Sequence, residues 1–147
     1  MNRQITEEDL TKATLPQTWI YCFNGSCPRS GTCLRHMSAR HIPEGADWGY
    51  AVFPNAAGNQ CALYHEARII RAAWGFNKLF GEVKAKDAPT LRREVKEYLG
   101  GNGTYYQYMH GKRMLTPEQQ EHIAKLFRQY GYTGELEFDG YSETIDI

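Results

Sequence analysis

Cys22, Cys27 and Cys33 stand in one short run with the spacing C-x4-C-x5-C, and Cys61 follows after 27 further residues. Gly25, Pro28 and Gly31 separate the first three, so the backbone can turn sharply between them and aim several thiols at one centre. Thiolates so gathered suit a tetrahedral zinc ion, with Zn–S distances of about 2.3 Å. Two imidazoles compete with Cys61 for the fourth position. His36 follows Cys33 as C-x2-H and His65 follows Cys61 as C-x3-H. The expectation is a zinc site of Cys22, Cys27, Cys33 and Cys61, with His36 or His65 as substitutes for the last. An iron–sulfur cluster is the alternative cofactor, although the spacing matches neither common run of such cysteines. Four reduced, packed thiols are the plainest reading. Disulfides need an oxidising compartment, and the polar start Asn2-Arg3-Gln4-Ile5-Thr6-Glu7-Glu8 lacks the apolar core of an export signal.

A second set of residues has the chemistry of nucleic-acid contact. Thr104, Tyr106 and Gln107 lie just beyond a Gly100-Gly101 turn, and Lys112 and Arg113 follow a few residues later. A glutamine on an exposed helix can bond adenine through both its amide groups, while nearby cations hold phosphates. Arg92 and Arg93, on the preceding helix, are further phosphate candidates. The order of these parts resembles the DNA-binding helix–turn–helix of small repressor-like regulators: a helix-ending glycine, a small polar cap, a short helix, then Gly111-Lys112-Arg113. The resemblance covers about residues 66–131 and implies that the short helix after Asn102-Gly103-Thr104, running through Tyr105–Met109 and ending at Gly111, reads the duplex. The reading helix carries no Arg or Lys of its own. A helical corner that binds a protein partner is the competing interpretation.

Helical spacing supplies most of the frame. Ile69, Ala73, Phe76 and Phe80 predict a helix over about 63–83, and Leu91, Val95, Tyr98 and Leu99 a second one. Asp87 and Pro89 suit the start of that second helix and Gly100 its end. Thr116-Pro117-Glu118-Gln119 reads as a capping box opening a further helix. Near the start, Thr6–Ala13 suggests a short helix. Trp48–Phe53 reads as a short strand stopped by Pro54. In the tail, Leu136, Phe138 and Tyr141 alternate with acids and suit an extended arm laid on the helices. The expected fold is therefore mainly α with minor β. A cysteine-rich, zinc-bound segment (1–61) packs on a helical bundle containing a helix–turn–helix (62–131), and an acidic extended tail (132–147) follows.

The chain's 41% hydrophobic content argues against wholesale disorder, and its formal net charge is zero. Residues 66–131 carry twelve basic against seven acidic side chains, and 132–147 carry five acids and no base. That asymmetry fits an anionic partner. No stretch approaches a membrane span, and the expected location is cytoplasmic. Zinc-protease helix, phosphate loop, nucleophile elbow and deaminase patterns are all missing, and His36, His41, His65, His110 and His122 are scattered. No enzyme and no small-molecule substrate is expected. The expected function is a small zinc-structured DNA-binding regulator acting on duplex DNA, or else a zinc-stabilised module for a protein partner.

The chain also resembles a group of short uncharacterised proteins from Bacteroides-type bacteria, a domain of unknown function. The matching features are Cys22/Cys27/Cys33-Leu34-Arg35, Cys61, Tyr105-Tyr106, Pro117–Gln120 and Phe138-Asp139-Gly140-Tyr141. The match spans about 19–141 and departs at Gln107, where the group is expected to carry a basic residue. It implies no activity.

Overall fold

The computed structural model describes residues 3–58 and 60–147. It contains helices α1 (Glu7–Lys12), α2 (Leu34–Ser38), α3 (Asn77–Gly81), α4 (Ala88–Tyr98), α5 (Asn102–Met109) and α6 (Pro117–Arg128). The strands are β1 (Ile20–Tyr21), β2 (Tyr50–Ala51), β3 (Ile69–Trp74) and β4 (Gly140–Ile145), joined as two-stranded sheets β1–β2 and β3–β4. With 39% helix and 13% strand, the chain is mainly α with minor β. It divides into two compact units, Met1–Ile69 with Thr144–Ile147, and Ile70–Glu143.

The first unit is loop-rich. Thr6 caps α1 by accepting from the Asp9 amide at 3.2 Å, and the Asp9 carboxylate accepts from the Thr6 amide at 2.8 Å. Arg3, with the Thr6 amide and the Thr6 hydroxyl, holds the Asp9 carboxyl well below the usual carboxylate range. Leu10, Trp19, Leu34, Ile69 and Ile145 form the core, and the Trp19 indole donates to Ser38 Oγ at 3.0 Å. β1 and β2 pair in parallel, Ile20 with Tyr50 and Tyr21 with Ala51. The expected strand over 48–53 is thus only two residues long. Non-local bonds fold the cysteine region on itself: Cys22 N–H donates to Arg35 O at 3.0 Å, Leu34 N–H to His65 O at 2.7 Å, and Ala67 N–H to Thr32 O at 2.9 Å.

The second unit departs from the expected helical bundle. Its first element is the strand β3, not a helix over 63–83. Ile69-Ile70-Arg71-Ala72-Ala73-Trp74 is a near-continuous apolar run with paired β-branched residues, which periodicity alone cannot separate from a buried helix. Gly75, at φ +85°, ends the strand, and only the five-residue α3 follows. β3 pairs with β4, and Ala73 forms a bridge with Leu115, Leu115 N–H donating to Ala73 O at 2.7 Å. Space there is tight. A Cβ on Gly75 would lie within 2.4 Å of Asp139, and one on Gly140 within 2.4 Å of Trp74. The Asp139 carboxylate needs that room, since it accepts from the Asn77 and Lys78 amides at 3.1 and 2.8 Å at the start of α3.

Around this sheet the helices close one core: Ala73, Phe76, Leu79, Leu91, Val95, Leu99, Tyr105, Tyr108, Leu115, Ile123, Phe127 and Phe138. α4 begins at Pro89-bearing Ala88–Leu91 and ends before Gly100 and Gly101, both at positive φ. α6 opens on the Thr116–Gln119 capping box. The tail is an integral layer: Phe138 is buried, and Leu136 and Tyr141 pack against the core. Two of its acids form ion pairs, Glu137 with Lys78 at 3.2 Å and Asp146 with Arg68 at 2.6 Å.

Candidate functional site

α5 is built to be read from one side. Its helical spacing sends Tyr105 and Tyr108 inward, and Tyr105 stacks on Phe76 with ring centroids 4.9 Å apart. Burial raises the Tyr105 hydroxyl pKa, against the opposing pull of Arg92. On the other side Tyr106 is 41% exposed and Gln107 is exposed, while Thr104 is half-buried. The chain then turns back at Gly111, φ +78°. The Lys112 and Arg113 amides both donate to the Gln107 carbonyl, at 2.9 and 3.1 Å. Those bonds fix two exposed cations at the exit of the exposed helix face. Gly111 is required there, because a Cβ would press on the Trp74 ring at 3.3 Å.

Other cations are placed differently from the sequence expectation. Arg92 lies over the Phe80 ring at 4.8 Å and lines a 270 Å³ depression with Tyr105, Tyr106 and Met109. Exposed Arg93 reaches Glu97 at 4.0 Å. Lys96, which the sequence reading passed over, stands over Tyr105 and Tyr106 at 5.1 and 5.4 Å. Its signal lay in the four-residue step from Arg92 along α4.

The cysteines form a second constellation. All four line one cavity of about 20 Å³, and His36 also borders it. About 10–15 Å³ of such space admits a single water-sized body, so this void has room for little more than one. Cys22 and Cys33 are buried, Cys27 and Cys61 half-buried, and none is in a disulfide. Among the described residues no three Cys, His, Asp or Glu side chains stand at metal-holding spacing, so the thiols surround the void without closing on a common centre. The Arg29 and Gly58 amides facing Cys27 lower its thiol pKa from the ordinary value. Arg29 also lines the cavity. Its guanidinium lies over the Tyr64 ring at 4.0 Å, with Nη2 3.4 Å from the Cys61 carbonyl. His65 stands apart from the void: its Nε2 donates to the Asp146 carbonyl at 2.8 Å, and its ring meets Trp19 edge-on at 5.4 Å.

A family of unknown function, DUF6078, has a sequence model that matches residues 1–147. The chain belongs to this family. No curated protein and no solved structure matches it. The matched residues include both constellations, and the family description assigns neither a role.

One more surface escaped the sequence reading. Phe23, Trp48, Tyr50 and Phe53 are 60%, 83%, 52% and 76% exposed. Trp48 and Tyr50 meet edge-to-face at 6.3 Å, and they border an open groove of about 1130 Å³ that Trp19 and Tyr21 also line. Among the described residues no helix is long and apolar enough to cross a membrane.

Proposed function

We propose that this protein is a non-enzymatic binder of duplex DNA that reads through α5, with a zinc ion stabilising its cysteine-rich unit. One observation carries the reading: Tyr106 and Gln107 stand exposed beside Lys112 and Arg113, while the flanking tyrosines are spent on the core. A helix that offers a bidentate amide and an aromatic edge, with two exposed cations at its exit, meets the separate needs of base and phosphate contact. Arg92, over the Phe80 ring, and Lys96, over the Tyr105 and Tyr106 rings, flank the exposed Tyr106, and Lys96 joins the phosphate candidates from α4. The zinc supports folding rather than chemistry. A loop-rich segment gains stability from bound metal, and four protein ligands leave no open position for a substrate.

A second reading, a module for a protein partner, is favoured by the exposed aromatics Phe23, Trp48, Tyr50 and Phe53. Aromatic residues in a contiguous exposed patch commonly mark protein interfaces. Backbone amide chemical shifts of the full chain, followed during titration with a mixed-sequence duplex at low salt, separate the two. DNA binding moves the amides of residues 102–113 and leaves those of 48–53 in place. No shift anywhere on addition of duplex rejects the DNA reading and leaves the aromatic surface as the working site.

A further inference from the structure

We infer that the cysteine cavity is a four-thiolate metal site in which Cys61, and neither histidine, is the fourth ligand, and that Arg29 donates its Nε–H to one of the sulfurs. This rests on the reading of the cysteine run as a zinc site. The argument begins with an atom that has nothing to bond. Arg29 Nε is buried without a hydrogen-bond partner among the described residues, and Arg29 lines the void that the four thiols enclose. An unpartnered buried donor on a cation is costly. A neutral thiol is a poor acceptor for it, whereas a thiolate is a good one. The same arginine leans over Tyr64 and approaches the Gly58 and Cys61 carbonyls at 3.5 and 3.4 Å, tying the Cys61 loop to the Cys27–Cys33 run.

Charge points the same way. Four thiolates around one void repel one another unless a cation sits among them. A divalent ion leaves two negative charges over, and the guanidinium offsets one. A void with room for about one small body fits a single ion. Ligation requires the four sulfurs to move inward from the cavity wall, because among the described residues they do not stand at metal-holding spacing. Of the imidazoles, His65 has given Nε2 to the Asp146 carbonyl and borders Trp19 instead of the void. His36 borders the void, so it is the rival to test.

Cobalt(II) is the probe, because its sulfur-to-metal charge-transfer absorption grows with the number of thiolate ligands. The full chain loaded with cobalt(II) takes up one ion per chain. His36→Ala and His65→Ala keep the spectrum, and Cys61→Ser loses roughly a quarter of the charge-transfer intensity, one sulfur of four. Arg29→Gln lowers zinc affinity about 10- to 100-fold in competition with a chelator, the usual cost of losing a hydrogen bond to a ligand, while Arg29→Lys keeps part of it. If His36→Ala changes the spectrum and Cys61→Ser does not, the ligand assignment is overturned. If Arg29→Gln holds zinc as tightly as the parent, the role of Arg29 is overturned. Failure of the unaltered chain to take up either cobalt or zinc rejects the zinc reading itself.

Discussion

Tyr105 and Tyr106 are neighbours in sequence whose rings meet edge-on at 5.3 Å, yet the first is buried and stacked on Phe76 while the second opens to solvent. That division separates the residues that hold α5 from those it offers. Lys112 and Arg113 belong to the offered set; backbone bonds to Gln107 fix their main chain, and the Arg113 guanidinium also lies 5.6 Å from the centre of the buried Tyr108 ring. Replacing either side chain keeps those backbone bonds. Lys112→Ala and Arg113→Ala should each weaken binding to every duplex to a similar degree and lower the salt slope by about 0.9 per lost phosphate contact. Gln107→Ala should act differently, relaxing preference at one base pair by about 1–3 kcal/mol with little change in affinity for random duplex. Competition binding with single-base variants of a preferred site distinguishes the two behaviours. Equal loss for all sequences with Gln107→Ala would remove that residue from base contact.

At the level of elements, the parts that were legible carry their own punctuation. α1 and α6 announce themselves by the Thr6–Asp9 and Thr116–Gln119 caps, and α4 by Pro89 at its start and Gly100 at its end. β3 had no such marker. Its apolar spacing fits a helix of 3.6 residues per turn as well as a strand, and what decides between them is non-local: Leu115 on one side and β4 on the other. That Cys22, Cys27 and Cys33 line one cavity is in keeping with the turn-forming residues between them, although among the described residues the thiols do not stand at metal-holding spacing. The orphan donor of Arg29 was not legible, because it depends on the Gly58–Cys61 loop folding back. Gly75 shows how strictly β3 is fitted. Its φ of +85° and a virtual Cβ contact of 2.4 Å with Asp139 mean that Gly75→Ala displaces the carboxylate that receives the α3 amides. The expected loss is at least about 1–3 kcal/mol, read as a lower denaturation midpoint. An unchanged midpoint would mean that Asp139 moves aside freely and that its bonds to α3 contribute little.

For the molecule as a whole, two properties follow from how its groups are placed. The first is sensitivity to alkali. Burial raises the hydroxyl pKa values of Tyr98, Tyr105 and Tyr130, and donation to Asp87 at 2.7 Å raises that of Tyr132. A group whose folded pKa lies above its unfolded value stabilises the fold fully below the unfolded value, about 10 for tyrosine. That stability is lost as pH rises through the folded values. The melting temperature should fall steadily above about pH 10, and Tyr132→Phe, less stable at neutral pH, should fall less steeply. A flat profile to pH 11 would show that these hydroxyls are ionised as easily in the fold as out of it. The second property is a polarised charge pattern. The basic middle of the chain faces solvent at Lys112 and Arg113, whereas the tail's Glu137 and Asp146 are paired with Lys78 and Arg68. The most direct measurement is the affinity of the full chain for a random-sequence duplex across a range of salt concentrations, alongside the Lys112→Ala/Arg113→Ala double variant. A DNA reader of this kind binds at low salt and loses affinity with a slope of roughly −3, for Lys96, Lys112 and Arg113, and the double variant retains roughly −1. No binding at low salt, or a slope that the double variant leaves unchanged, would contradict it.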